Sequence, residues 1–136
     1  FGGKPGSAPP PHRAPRRDPD MSCDLPTRID QALLFRLNGD RNPLHADPAR
    51  AAAVGFDRPI LHGLCTYGFT GRALLHTLCG SDPARFGHIE GRFASPVLPG
   101  EALTIDMWLN GDGEALFVTR VDDRAVIDQG LVTFSE

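Results

Sequence analysis

The amino-acid sequence predicts an α+β domain in which an antiparallel sheet of four or five strands wraps around one long helix. Residues 60–79 (ILHGLCTYGFTGRALLHTLC) carry a full charge only at Arg72, and a helix that is apolar on all sides is a buried one. After Pro83 the apolar and polar residues alternate in segments joined by short turns, which is typical of an antiparallel meander. A sheet around one helix leaves an edge, which favours pairing with a second copy or a sister domain.

Length and composition restrict the classes of protein. The chain has 136 residues, 40% hydrophobic and 23% charged, which fits one globular domain with a core. A net charge of −3 argues against a nucleic-acid or membrane-surface role, because both partners select a basic face. Cys23, Cys65 and Cys79 lack a CxxC spacing and fit free thiols in a reducing compartment. No peroxisomal signal follows Phe134, so the cytoplasm is the expected location.

The N-terminal fifth of the chain has a different composition from the rest. Residues 1–27 are rich in Pro, Gly and Arg without periodicity, so we expect an extended linker followed by a folded domain over 28–136. Residues 31–37 (QALLFRL) are short and apolar, so strand and helix compete there. The abrupt end at Asn38-Gly39 favours a strand.

Two helices are predicted in the middle of the chain. Asp47 as N-cap and Pro48 at the first helical position begin a short helix, which Gly55 ends as a left-handed cap. The second is the long buried helix from about residue 62 to 79, which Gly80 ends.

The remaining residues predict four strands. The turns between them are Pro99-Gly100, Asn110-Gly111 and Asp122-Asp123, of which Asn-Gly is the strongest hairpin signal. The predicted strands are residues 87–97, 103–109, 116–121 and 125–134.

A polar corner before the short helix is the candidate site. Asp40 and His45 flank Asn42-Pro43, whose restricted backbone can aim both side chains at one point. A carboxylate and an imidazole that share a water can exchange its proton near neutral pH, which is general acid–base chemistry. Asn42 could hold either group by a hydrogen bond. Gly63, near the start of the long helix, offers a free backbone N–H and close approach to a carbonyl oxygen, as an oxyanion site needs.

Structural roles compete with each of these assignments. Asp40 could cap a turn that His45 completes, and Gly63 could serve helix packing alone. A metal at His45-x-Asp47 is rejected, because no further ligands follow at suitable spacing. Cys65 in an apolar helix is expected to be an inert thiol, and His62 and His76 to be packing or surface residues.

The motif around this corner resembles a known family. GDRNPLH at 39–45, followed by DRPILHGLCT at 57–66, is similar to the hydratase motif of MaoC-like (R)-specific enoyl-CoA hydratases, over about residues 28–136. The resemblance implies a hot-dog fold, with the long helix at its centre, and reversible syn addition of water to a trans-2-enoyl-CoA. It also implies a catalytic Asp40/His45 dyad with Asn42 as support and Gly63 as oxyanion donor. The resemblance further implies that the substrate is the coenzyme A thioester itself, and we expect no further cofactor and no metal.

The resemblance extends to the organisation of the protein. FGGKPGSAPPP at the start is similar to the connection between the halves of double hot-dog members, in which only the C-terminal half keeps the motif. It implies that this chain is the catalytic half, working as a homodimer or paired with a second hot-dog domain. Dehydration of carrier-protein-bound 3-hydroxyacyl thioesters and non-catalytic binding of acyl thioesters are the alternative functions. Thioester hydrolysis is disfavoured.

Overall fold

Five antiparallel strands form one sheet in the order β1-β3-β4-β5-β2. The computed structural model describes residues 10–135; the glycine-rich start of the predicted linker lies outside them. The strands are β1 (Met21–Pro26), β2 (Phe86–Phe93), β3 (Ala102–Gly111), β4 (Glu114–Val121) and β5 (Arg124–Phe134). The helices are α1 (Gln31–Phe35), α2 (Pro48–Ala53) and α3 (Gly63–Cys79).

Helix α3 packs against the sheet and contacts β1, β2, β3 and β5. Leu74 of the helix and Phe117 of the sheet are among the fully buried residues, and burying one such side chain contributes roughly 1.5–3 kcal/mol. The hydroxyls of Thr70 and Thr119 pair across this interface at 2.8 Å, so these two buried polar groups satisfy each other. The predicted helix over about 62–79 and its glycine cap at Gly80 (φ 60°) are confirmed.

The boundary of the predicted linker is wrong in its last part. Met21–Pro26 is not linker but strand β1, paired with β3 from Met21 opposite Met107 to Pro26 opposite Ala102. The side chain of Ser22 donates to the Asp106 carboxylate at 2.7 Å, which ties the strand to its neighbour. The sheet therefore begins before residue 28.

The strand predicted over residues 31–37 is also wrong. Gln31–Phe35 is α-helical and continues into a 3₁₀ turn at Arg36–Asn38, and Gly39 has a left-handed φ of 110°. The Asn38-Gly39 signal that favoured the end of a strand is in fact the C-terminal cap of a helix.

Helix α2 follows the prediction closely. The Asp47 carboxylate accepts from the backbone N–H of Ala49 at 2.8 Å, and Pro48 occupies the first helical position. Gly55 has a φ of 90° and lies just beyond the C-cap, as a left-handed terminating glycine does.

Two strand boundaries differ from the prediction. Strand β2 ends at Phe93 rather than at 97, because Pro96 lacks the N–H that a further ladder bond needs. The β3–β4 hairpin turns at Asp112-Gly113, not at Asn110-Gly111, and both turn residues have positive φ, as a type I′ turn requires. The Asp122-Asp123 turn is confirmed.

Strands β1 and β2 are the two edges of the sheet. No helix within residues 10–135 has both the length and the apolar content needed to cross a bilayer.

Candidate active site

The polar corner is held by local hydrogen bonds between side chains and backbone. The Asp40 carboxylate accepts from the backbone N–H of Asn42 at 3.1 Å, and the Asn42 side-chain oxygen accepts from the N–H of Leu44 at 3.1 Å. Asn42 is thereby the N-cap of the 3₁₀ turn Pro43–His45, with the extended backbone that a residue before proline favours. Both Asp40 and Asn42 are exposed, so this side of the site faces solvent.

His45 is buried, with 8% of its surface exposed. Its Nδ1 lies 2.8 Å from the backbone oxygen of Ile60, and because a carbonyl oxygen only accepts, Nδ1 carries the proton. In the neutral ring Nε2 is then the proton acceptor. The backbone just before α3 therefore sets the tautomer of His45 in the form that a general base needs.

His62 contacts both His45 and the backbone of Asp40. Its ring stacks on that of His45 with centroids 3.7 Å apart and planes at 27°, and its Nε2 donates to the backbone oxygen of Asp40 at 3.2 Å. Only 1% of His62 is exposed, and this burial is the main reason that its pKa is lowered. One nitrogen or oxygen atom from each of Asp40, His45 and His62 lies within 4.8 Å of the others.

Gly63 is the first residue of α3, next to its N-cap His62. The amides of a first helical turn have no partner within the helix and carry the positive end of its dipole. A Cβ at Gly63 would lie 3.3 Å from ring atoms of Phe93, so a side chain here would crowd the approach to the amide. The position suits an acceptor oxygen.

A cavity of about 290 Å³ opens beside these groups. His45 and Gly63 both line it, together with Phe93, Ser95 and Val126. His45 also lines a second cavity of about 260 Å³, together with Leu33, Arg58 and Pro59 among others. A ligand in the first cavity can contact both His45 and the N-terminus of α3.

The structure brings Asp40, His45 and Gly63 into one region, although 23 positions of sequence separate the outer two. Asn42 contacts Asp40 through its backbone N–H, while its side chain caps the following turn. His62 is the residue that the sequence reasoning passed over as packing. Its place directly before Gly63 is the signal that could have marked it.

A third possible metal ligand lies beside Asp40 and His45, although the sequence spacing predicts no further ligands. His62 joins Asp40 and His45 in a cluster of possible ligands. Nδ1 of His45 and Nε2 of His62 contact carbonyl oxygens, so in each neutral ring the other nitrogen has the lone pair and can accept a proton or ligate an ion. The exclusion of a metal stays a prediction.

The remaining candidates have other surroundings. Cys65 is buried, and desolvation raises its pKa to about 11, so little thiolate forms at neutral pH. His76 is exposed and contacts Ser81 near the far end of α3.

These features define a hot-dog domain with an Asp/His pair at the start of its central helix. The sequence matches the family described as "MaoC like domain" over residues 11–129. The chain belongs to this MaoC-like family.

Solved and curated relatives agree with this assignment. The crystal structure of a MaoC-like dehydratase from Phytophthora capsici superposes with a TM-score of 0.94 at 41% identity, covering 100% of this chain and 47% of that chain. The predicted hot-dog fold is confirmed. In Mycobacterium tuberculosis, 3-hydroxyacyl-thioester dehydratase Y is 48% identical over 98% of this chain and 49% of its own length. Enoyl-CoA hydratase ChsH3 of the same organism is 48% identical over 96% and 46%. The chain spans about half the length of these curated relatives.

Proposed function

We propose that this chain catalyses the reversible addition of water to the double bond of a trans-2-enoyl-CoA, giving a (3R)-3-hydroxyacyl-CoA. The observation that carries the proposal is the position of His45, which lines the same cavity as Gly63 with its Nε2 free to accept a proton. Two relatives of about 48% identity are named for hydration or dehydration of acyl thioesters. Family membership and geometry thus support the same chemistry.

In the hydration direction, a water molecule lies between the Asp40 carboxylate and Nε2 of His45. The dyad takes a proton from the water as its oxygen bonds to C3 of the enoyl group. The electron pair of the C2=C3 bond moves to C2 and the thioester oxygen, and a proton returned by the dyad to C2 completes the product. Oxygen and proton come from one face, which makes the addition syn.

The negative charge on the thioester oxygen requires a donor. The amide of Gly63 is aligned with the positive end of α3, where an oxyanion is stabilised by both the N–H and the helix dipole. The absence of a side chain at Gly63 leaves room for the thioester between the amide and Phe93.

The decisive experiment follows the loss of enoyl absorbance when crotonyl-CoA is mixed with the protein. Asp40→Asn and His45→Gln should each lower kcat/KM by about a hundred- to ten-thousandfold, the range for loss of a general acid–base group. Asp123→Asn and His76→Gln are matched controls, because both residues are exposed and line neither of the two cavities beside His45. Near wild-type rates in Asp40→Asn or His45→Gln would show that the dyad assignment is wrong.

The same preparation separates the alternative functions. A carrier-protein-specific dehydratase would turn over the acyl-carrier thioester and leave the CoA thioester largely unchanged. Thioester hydrolysis would release free thiol, which we expect to be negligible. A non-catalytic binding domain would bind enoyl-CoA without any change in its absorbance.

We further propose that the functional unit pairs this domain with a second hot-dog domain, on another copy or on a sister chain. Phe93, at the end of edge strand β2, is 57% exposed, and Leu64 on the first turn of α3 is 66% exposed. A large apolar side chain on a free sheet edge is typical of a surface that another strand covers. The mass in solution, measured together with the assay, tests this pairing.

A further inference from the structure

His62 contacts both members of the proposed dyad, each through a different part of its ring. Its face lies on His45 at 3.7 Å between centroids, and its Nε2 reaches the main chain of Asp40 at 3.2 Å. On its other side the ring of Phe35 packs at 4.7 Å with a tilt of 47°. The His62 ring is therefore fixed between α1 and the polar corner.

The position of His62 is fixed by the backbone at the start of α3. As the N-cap of α3 it has an extended conformation, with φ −60° and ψ 133°, and the helix begins at the next residue. Its carbonyl oxygen accepts from the amides of Cys65 and Thr66, both of which are buried. The start of the most buried helix thus carries the oxyanion amide and the His62 ring on neighbouring residues.

The hydrogen bonds of His62 also define its protonation state. The carbonyl of Asp40 can only accept, so Nε2 carries the proton and Nδ1 of the neutral ring has the lone pair. Nδ1 is buried and has no partner among the described residues 10–135. A second proton would place an unpaired N–H and a charge in a buried position against His45. Burial accordingly lowers the pKa of His62.

We propose that His62 is a positioning residue of this site, which fixes the ring of His45 and the main chain of Asp40 relative to each other while remaining neutral. This inference rests on the proposed hydratase function. Two contacts hold His45: the bond from Nδ1 to Ile60 restrains its rotation, and the stack on His62 restrains its tilt. Asp40, which is exposed, gains from His62 its link to the protein interior.

Two substitutions separate the two contacts. His62→Phe keeps an aromatic face for His45 and removes the donor to Asp40, whereas His62→Gln keeps a donor and removes the face. We expect each to lower kcat by about ten- to hundredfold, as a displacement of about 1 Å in a catalytic group does, with KM changed by about twofold or less. His62→Ala, which removes both contacts, should lose more than either.

Cys65→Ala is the control for packing. Cys65 is buried on the same helix turn and touches neither member of the dyad through a polar contact in the described residues. The Cys65→Ala variant should keep the wild-type kcat even if its melting temperature falls. Wild-type kcat in both His62→Phe and His62→Gln, or an equal loss of kcat in Cys65→Ala, would overturn the positioning role.

A second measurement does not depend on turnover or on the folding of a variant. In the wild-type protein labelled with ¹⁵N at histidine, His62 should show the neutral Nε2–H tautomer and His45 the Nδ1–H tautomer near pH 7.5. A His62 that is protonated there, or that carries its proton on Nδ1, contradicts the inference. If the wild-type protein does not hydrate crotonyl-CoA at all, the hydratase proposal fails, whereas these spectra still decide which nitrogen of each ring carries the proton.

Discussion

The two halves of the candidate site are built in opposite ways. The corner with Asp40 and Asn42 is exposed and secured by short-range bonds between side chains and its own backbone. At the start of α3 the side chains of His62 and Thr66 are buried, although Gly63 and Leu64 between them are exposed, and the His62 ring packs against His45 and Phe35. In the proposed reaction this buried half supplies the amide and the restraints, while the corner supplies the carboxylate. This difference suggests that the alignment of the site depends on the buried half more than on the exposed one.

Substitution at Gly63 is expected to have the largest effect of those that test this difference. Gly63→Ala places a Cβ 3.3 Å from ring atoms of Phe93, which is a tight contact. Because Phe93 is 57% exposed, its ring can move away, so the fold should survive. The added methyl should still obstruct the thioester oxygen, lowering kcat by about a hundredfold, as loss of an oxyanion donor does. Steady-state kinetics and a thermal melt measure both quantities.

A paired variant distinguishes obstruction from loss of packing. Phe93→Leu relieves the contact with the new methyl group, so the double variant should regain stability without regaining kcat. Full recovery of kcat in the double variant would mean that Gly63 serves packing against Phe93 and not the thioester oxygen.

Loss of a hydrogen bond that only holds the exposed corner in place should have a weaker effect. Asn42→Ala removes the acceptor for the Leu44 amide, and loss of such a cap costs about 1 kcal/mol of unfolding free energy. Asn42→Ser, which retains an acceptor, should recover most of that loss in urea denaturation. We expect kcat to fall by about tenfold in Asn42→Ala, because loss of this one hydrogen bond should shift Asp40 and His45 only slightly. A loss as large as that of Gly63→Ala would contradict the greater role of the buried half.

Much of the corner could be predicted because its structure is local. The Pro43 ring, the Asn42 cap and the Asp47 cap each act within a few residues, so a short motif carries all of their geometry. The role of His62 could not be predicted in this way. Its stack on His45 joins residues 17 positions apart, and the orientation of the two rings depends on how α3 approaches the corner.

The same difference between local and long-range contacts explains why two elements of the fold were predicted wrongly. Strand β1 does show alternation, with the polar residues Ser22 and Asp24 between Met21, Cys23 and Leu25, but six residues in a Pro- and Arg-rich context are too weak a signal. Only the ladder to β3 defines it as a strand. Helix α1 had the opposite problem. The terminating glycine Gly39 was detected, yet a glycine ends both strands and helices, and the partner that would decide lies elsewhere in the chain.

The last expected effect is on the pH dependence of stability, and it tests the buried half directly. His62 has a lowered pKa in the folded protein, below its usual value of 6.5, mainly through burial. His45 and Arg36 lower it further, while the hydrogen bond and charge of Asp40 act in the other direction. Below about pH 6.5 the unfolded chain therefore takes up a proton that the folded chain does not.

The unfolding free energy should consequently decrease as the pH falls below about 6.5, by at most about 1.4 kcal/mol per pH unit from this residue. The part of the unfolding free energy that depends on neutral His62 is fully present above about pH 6.5. It is completely lost once the pH falls below the pKa of His62 in the folded protein. Urea titrations of the wild-type protein and of His62→Phe at matched pH values isolate it, because all other titrating groups are shared. The difference in unfolding free energy between the two proteins should shrink towards acid. A difference that stays constant from pH 7.5 to about pH 5 would mean that His62 titrates alike in the folded and unfolded chains, and that the buried half does not hold it neutral.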